Sequence, residues 1–117
     1  MKKMYHLSSC STCAKIIKAT DTEAHGVQLQ DIKTEKITPA QLDEMKALAG
    51  SYEALFSRRS MKYKSMGLAN QTLAEADYRR LILEEYTFLK RPVSIVGKAI
   101  FVGNAASATS ALAEALK

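Results

Sequence analysis

The chain has 117 residues, 47% of them apolar, with two cysteines and a formal net charge of +5, and its length fits one domain around one hydrophobic core. It has no apolar run near the roughly 18 to 20 residues of a membrane span, and no apolar stretch follows Lys2 and Lys3 as in a signal peptide, so we expect a cytoplasmic protein with reduced thiols. The charge suits an anionic ligand or an acidic partner, and because the basic residues are spread along the chain, we expect no direct nucleic-acid binding.

The beginning of the chain is predicted to form a strand, a helix and a second strand. Residues 3–7 (KMYHL) are short and mostly apolar, as in a buried strand. A small polar turn at 8–12 leads into a helical pattern that starts near Cys10 and is predicted to stop at Gly26. Residues 27–32 (VQLQDI) alternate apolar and polar side chains, which predicts a strand. Such a unit normally gives two parallel strands joined by a right-handed crossover.

The middle of the chain, about residues 33–88, is predicted to be helical. Thr38 is a capping residue followed by proline, which is typical of a helix start, and Gly50 is predicted to end that helix. Thr72 and Glu75 have the spacing of a capping box before a longer helix. The segment is therefore predicted to be a helical insertion between two halves of a sheet.

The end of the chain is predicted to form a hairpin and a final helix. Residues 93–96 (VSIV) and 99–102 (AIFV) are apolar and are separated by a two-residue turn with glycine first, which indicates an antiparallel hairpin. An alanine-rich helix follows at 105–116. The predicted order is β-α-β, helical insertion, β-hairpin and C-terminal helix, which is an α/β thioredoxin-like mixed sheet in a single domain over 1–117. A Cys-x-x-Cys sequence after the first strand, and a proline opening the third, agree with that fold.

Both cysteines of the chain, Cys10 and Cys13, follow the first strand. The thiolate is the nucleophilic form of cysteine, and the unpaired N–H groups and the dipole at a helix N-terminus favour an anion. Cys10 is on the loop side and is predicted to attack, whereas Cys13, one turn further in, is predicted to resolve a bond formed at Cys10. Ser11 and Thr12 are small and polar, and they leave the loop amides free to hold an anion.

Other interpretations of these residues stay open on the sequence. Both cysteines could be small buried hydrophobes. They could also bind zinc, but the usual second Cys-x-x-Cys or His-x-x-x-His pair is missing, so we expect no metal. His6, four residues before Cys10, would lower the thiol pKa if it were protonated nearby. It could equally be a histidine that is hydrogen-bonded inside the sheet.

Arginines are the candidate oxyanion ligands, because the guanidinium fork matches a tetrahedral oxyanion. Arg91 directly precedes Pro92, whose strand would run beside the cysteine loop in this fold. Arg59 belongs to a basic group in the insertion, and the sequence does not distinguish it from Arg58 as the residue that faces the site. Such a basic group is also typical of a solvated surface.

Three blocks of the sequence, HLSSCSTCAK, LFSRRSMKYKSMGL and EYTFLKRPVSIVGKAIFVGN, resemble the arsenate reductase (ArsC)/Spx family. The resemblance covers nearly the whole chain and implies a thioredoxin-like fold with a helical insertion. It implies that Cys10 attacks arsenate, that His6 is the family's histidine, that Arg91 binds the oxyanion and that Pro92 is in cis. The Arg-Ser pair at Arg59 matches the Spx-like branch.

The chain also differs from the glutaredoxin-dependent arsenate reductases of this family. Those enzymes usually have one cysteine in the loop, an insertion arginine near Ser57, and a third arginine where this chain reads Val102-Gly103-Asn104. The differences favour the Spx-like or an uncharacterised reductase-like branch.

We therefore predict a thiol-dependent oxidoreductase without a bound cofactor. Its Cys10 thiolate would attack arsenate, another small oxyanion, or a glutathione or protein disulfide, with glutathione, glutaredoxin or thioredoxin as the reductant. The alternative is an Spx-like redox-sensing regulator that binds the RNA polymerase alpha subunit through a Cys-x-x-Cys switch, although the chain lacks the extra C-terminal length expected of such regulators. A third possibility is a structural remnant with ordinary thiols.

Overall fold

One four-stranded mixed sheet carries the cysteine loop. The structure is a computed structural model and describes residues 2–116. Strands β1 (Lys2–His6), β2 (Gln28–Asp31), β3 (Val93–Val96) and β4 (Ala99–Val102) are arranged in the order β2-β1-β3-β4. β1 and β2 are parallel, whereas β3 is antiparallel to both β1 and β4. The predicted mixed sheet, with its parallel pair and its hairpin, is confirmed.

Two helices, α1 (Ser11–Thr20) and α5 (Ala106–Leu116), pack against this sheet. Strand residues alternate between the two faces, and an apolar side chain from β1 lies in the same buried cluster as side chains from both helices. Burial of this cluster is the main favourable contribution to holding the helices on the sheet. Its buried members are Met4, Ile16, Val27, Leu112 and Leu116.

Helix α1 ends well before the predicted stop at Gly26. Asp21 adopts the left-handed conformation, with a φ of 53°, and its N–H donates to the carbonyl of Lys18. Aspartate is one of the few residues other than glycine that visit this region readily. The Thr20 hydroxyl donates to the Ile16 carbonyl at 2.8 Å, which satisfies a polar group that is buried in the last turn. The prediction of a helix that continues to Gly26 was therefore wrong.

The chain groups into two compact units. The first comprises the residues up to Lys36 and those from Arg91 onward, and the second is Ile37–Lys90. The prediction of a single domain with an insertion at about 33–88 stays a prediction. The second unit contains α2 (Pro39–Ala49), α3 (Met61–Ser65), α4 (Glu75–Glu84) and three short 3₁₀ helices, Glu53–Leu55, Leu68–Asn70 and Tyr86–Phe88.

The second unit has an aromatic centre. The ring of Phe56 lies 5.0 Å from that of Phe88 in a stacked arrangement and 4.9 Å from that of Tyr78. Phe56 also forms an isolated antiparallel bridge with Leu89. All four residues are buried, and aromatic pairs at these distances add to the free energy of area burial.

Helix α2 begins as the sequence predicts, and α4 does not. The Thr38 side chain accepts the N–H of Gln41, whose side chain in turn accepts the N–H of Thr38, both at 3.1 Å. Helix α4 starts at Glu75 rather than near Thr72, and the Glu75 carboxylate accepts the backbone N–H groups of Tyr52 and Glu53. The capping role predicted for Glu75 belongs to Asp77, which accepts the N–H of residue 74.

The assigned starts of α2 and α4 can be tested by comparing the free energy of unfolding of two alanine variants. Thr38→Ala is expected to lower the free energy of unfolding by about 1 kcal/mol, because the N–H of Gln41 loses its side-chain acceptor. Thr72→Ala is expected to change it by less than about 0.5 kcal/mol, because Thr72 lies outside α4. Urea unfolding followed by circular dichroism measures both, and equal losses would contradict the assigned helix starts.

Candidate active site

Cys10 lies at the N-terminus of α1. It is the N-cap residue, with extended backbone angles, and its carbonyl accepts the N–H of Ala14 at 3.1 Å. Its own N–H donates to the Leu7 carbonyl at 3.0 Å, which closes a tight turn between β1 and α1. The half-buried thiol is therefore held next to the positive end of the helix dipole.

The surroundings of Cys10 stabilise its thiolate. Partial burial alone would raise the pKa of this thiol. The N–H and the thiol of Cys13, the N–H of Thr12 and the positive charge of Arg91 outweigh burial, so that the pKa of Cys10 lies below its ordinary value of 9.0. Hydrogen bonds and positive charge that favour the anion are typical of reactive cysteines.

Cys13 has the opposite electrostatic character. It is completely buried, and burial raises its pKa to about 11, with a further upward contribution from the hydrogen bond to Cys10 and the charge there. The N–H of Leu7 and the charge of Arg91 oppose this rise. Both cysteines are free thiols in the structure. At neutral pH the pair therefore combines a thiolate-prone sulfur with a protonated sulfur that donates a hydrogen bond to it.

Arg91 lies two residues before β3, close enough for its charge to affect the pKa of both thiols. Its charge acts on both thiols, and its Nη1 atom is buried without a hydrogen-bond partner among residues 2–116. The Arg91–Pro92 peptide bond is cis, and the Pro92 carbonyl accepts the N–H of Gly103 at 2.9 Å. A buried guanidinium N–H without a partner is a donor that a ligand oxygen can satisfy.

Ser11 and Thr12 are the first two residues of α1. The Ser11 side chain is exposed and that of Thr12 is half-buried. The sequence predicted that these small residues leave the loop amides free for an anion. In the structure the N–H of Thr12 favours the Cys10 thiolate, and an oxyanion-binding role for either residue stays a prediction.

His6 lies at the end of β1 and is paired in register with Asp31 on β2. Its Nδ1 atom is buried and has no hydrogen-bond partner in the described part of the chain. The charge of His6 acts on the Asp31 carboxylate. The predicted effect of His6 on the pKa of Cys10 stays a prediction, whereas Asp31 was missed by the sequence analysis.

The two candidate arginines of the second unit differ in their contacts. Arg58 donates to the Glu53 carboxylate at 2.8 Å and to the Tyr78 hydroxyl at 3.1 Å. Arg59 is exposed, and its guanidinium has no hydrogen-bond or ion-pair partner between residues 2 and 116. Of the two, Arg59 is therefore the one whose guanidinium is available to a ligand.

Two further findings bear on the class of site. In the described residues, no three histidine, cysteine, aspartate or glutamate side chains come together as metal ligands. Nor does that part of the chain contain a helix with the length and apolarity needed to cross a membrane.

Comparisons with known proteins agree with the thioredoxin-like fold. A protein called YffB has a structure with a TM-score of 0.80 at 25% identity, and each chain covers 100% of the other. A Staphylococcus aureus protein gives 0.76 at 26% identity, with 95% of this chain and 97% of that chain covered. An arsenate reductase from Vibrio cholerae gives 0.78 at 14% identity, with 97% and 95% covered, and this likeness shows the fold alone.

The family is assigned by a family model that matches most of the chain. No curated protein matches the chain. The model of the ArsC family matches residues 5–112, which include both cysteines and the Arg91–Pro92 pair. The chain therefore belongs to the ArsC family, a family of thiol-dependent reductases.

Proposed function

We propose that the protein is a thiol-dependent reductase in which the Cys10 thiolate attacks arsenate, another small oxyanion, or the disulfide of a glutathione or protein adduct. The observation that carries this proposal is the surroundings of Cys10, where two backbone N–H groups, the Cys13 thiol and the Arg91 charge all favour the thiolate. A thiol with these neighbours is an activated nucleophile, because the ionised form is the reactive one.

With arsenate, the Cys10 sulfur forms a bond to arsenic and a hydroxide leaves as water after gaining a proton. A second thiol then attacks the Cys10 sulfur, the sulfur–arsenic bond breaks, and its electron pair reduces As(V) to As(III). Two thiols lose two electrons and form one disulfide. With a mixed disulfide, the thiolate instead attacks sulfur directly, and a thiolate leaves.

The second thiol is Cys13, glutathione, or a thiol of glutaredoxin or thioredoxin. Cys13 is a candidate because its thiol already contacts Cys10. The negative charge of Cys10 helps to keep Cys13 protonated, and that charge disappears once Cys10 is bonded to the substrate. Formation of the adduct therefore removes one of the contributions that raise the pKa of Cys13, and makes its ionisation easier.

A coupled assay tests the proposal. NADPH oxidation is followed with arsenate, and in parallel with a glutathione mixed disulfide. The reductant is either glutathione with glutaredoxin and glutathione reductase, or thioredoxin with thioredoxin reductase. We expect substrate-dependent NADPH oxidation with at least one pair. Failure of both substrates with both reductants would contradict a reductase of this kind.

Arg59 is the proposed second anion ligand. Arg59→Ala is expected to raise KM for the oxyanion by about tenfold to a hundredfold, since a hydrogen bond to a charged group contributes about 1.5–3 kcal/mol. Arg58→Ala is the matched control. It removes an ion pair whose side chains are 48% and 55% exposed, so its effect on stability should be under about 1 kcal/mol, and KM should hardly change. A larger KM effect for Arg58 than for Arg59 would reverse the assignment.

A redox-sensing regulator that binds the RNA polymerase alpha subunit is the second candidate. It is favoured by the contact between the two thiols and by an exposed apolar and basic segment around α3, where Met61 is 88% exposed and is followed by Lys62. Pull-down with the alpha subunit under oxidising and reducing conditions tests it. Binding in neither state would reject this function.

A further inference from the structure

The Asp31 carboxylate contacts the first residue of the cysteine loop. Its Oδ1 atom accepts the backbone N–H of Ser8 at 3.4 Å and that of Lys33 at 3.1 Å. The Ser8 side chain also hydrogen-bonds to this carboxylate. Asp31 is the last residue of β2, so these contacts join the end of that strand to the turn that carries Cys10.

Asp31 is ionised at neutral pH. The pKa of the Asp31 carboxyl lies below its ordinary value, and the hydrogen bond from the Ser8 side chain is the largest cause. Slight burial opposes this effect. The N–H groups of Ser8 and Lys33 and the charge of His6 also lower the pKa. Residues paired in register on neighbouring strands point to the same face of the sheet. His6 and Asp31 are such a pair. The carboxylate is therefore a fixed negative charge at the sheet edge where the loop begins.

The turn is short enough to transmit a displacement of Ser8 to Cys10. Only Ser9 lies between them, and the N–H of Cys10 is held by the Leu7 carbonyl at 3.0 Å. Ser8 is held by the Asp31 carboxylate through both its backbone N–H and its side chain. The Cys10 sulfur must in turn stay next to the N–H groups at the start of α1 for its thiolate to be stabilised.

We propose that Asp31 is a positioning residue for the attacking thiol, and that its carboxylate holds Ser8 so that Cys10 stays against the N-terminus of α1. The proposal rests on the proposed role of Cys10 as the nucleophile. A purely electrostatic effect of Asp31 would have the opposite sign, because a nearby negative charge disfavours a thiolate. If Asp31 acted only through its charge, removal of its side chain would lower the pKa of Cys10. If Asp31 positions Cys10, the same removal raises that pKa.

The rate of alkylation of Cys10 by iodoacetamide, measured against pH by peptide mass spectrometry, distinguishes the two effects. We expect Asp31→Ala to raise the pKa of Cys10, with about a tenfold loss of alkylation rate at neutral pH for each unit of rise. Asp31→Asn keeps an acceptor oxygen without the charge and should restore the wild-type pKa in large part. Glu23→Ala removes an exposed carboxylate from the same unit and should leave the pKa unchanged.

An unchanged or lowered pKa of Cys10 in folded Asp31→Ala would overturn the proposal. If that variant does not fold, Ser8→Ala decides, because it removes the side-chain donor at an exposed position. A smaller rise in the pKa is expected there, and no rise would also overturn the proposal. Alkylation needs no substrate, so this result is independent of whether the protein reduces arsenate or a disulfide.

Discussion

Replacement of Cys10 by serine is expected to lower kcat/KM for reduction by at least about a thousandfold, as removal of a catalytic nucleophile typically does. The hydroxyl of serine does not ionise at neutral pH. The N–H groups of Thr12 and Cys13 and the charge of Arg91 would therefore have no thiolate to stabilise. The measurement is substrate-dependent NADPH oxidation in the coupled assay, with wild type and Cys10→Ser at equal concentration.

Cys13→Ser is the matched control for this prediction. The buried Cys13 is the candidate for the second step within the chain, so its loss should spare the attack by Cys10 and make turnover depend on added glutathione. Activity of Cys10→Ser near that of wild type would contradict the assigned nucleophile. Equal and complete loss in both variants, with glutathione present, would contradict the division of the two steps.

Replacement of Arg91 by methionine is expected to lower kcat/KM by about a hundredfold to a thousandfold, the usual effect of removing a group that stabilises charge in the transition state. Arg91 has a buried N–H without a partner in the described structure, and its charge lowers the pKa of Cys10. The variant should therefore show both a higher pKa of Cys10 and weaker oxyanion binding. Arg91→Lys keeps the positive charge but not the bidentate guanidinium donor. It should therefore restore the pKa of Cys10 more fully than it restores oxyanion binding.

Lys90→Met controls for the loss of a positive charge at the neighbouring position. Lys90 is exposed, and its backbone N–H donates to the Leu55 carbonyl, a contact that the substitution keeps. Its kcat/KM should stay close to that of wild type. If Arg91→Met and Lys90→Met had the same small effect, Arg91 would act only through overall charge.

The fold could be predicted from the sequence where the signals were local. The strands have short apolar runs, the hairpin has a two-residue turn, and Thr38 is followed by proline in a local capping pattern that forms within its own helix. The start of α4 depends on distant residues, because Glu75 binds the N–H groups of Tyr52 and Glu53. The capping-box spacing of Thr72 and Glu75 does not reveal such contacts between distant residues. The end of α1 was predicted wrongly because glycine was taken as the signal for a helix end, whereas Asp21 adopts the left-handed conformation that ends this helix.

Part of the candidate site could be predicted because its residues are close together in sequence. Cys10 and Cys13 are recognisable because strand, turn and helix are adjacent in sequence. Asp31 requires the parallel register of β1 and β2, which pairs it with His6. A usable signal was present, since a polar residue that ends a strand parallel to β1 must lie at the same edge of the sheet as the cysteine loop. The proposal of Arg59 over Arg58 rests on the contacts of Arg58 with Glu53 and with Tyr78, which lies twenty positions away in sequence.

The central claim is that Cys10 loses its proton at a lower pH than an ordinary thiol, whereas Cys13 loses its proton at a higher pH. The most direct test is the pH dependence of iodoacetamide alkylation, followed separately for the two cysteines in the reduced wild-type protein. The reactivity of a thiol is lost as the pH falls through its pKa. We expect the Cys10 midpoint below 9.0 and the Cys13 midpoint at about 11. A Cys10 midpoint at or above 9.0, or two cysteines that titrate together, would contradict the account.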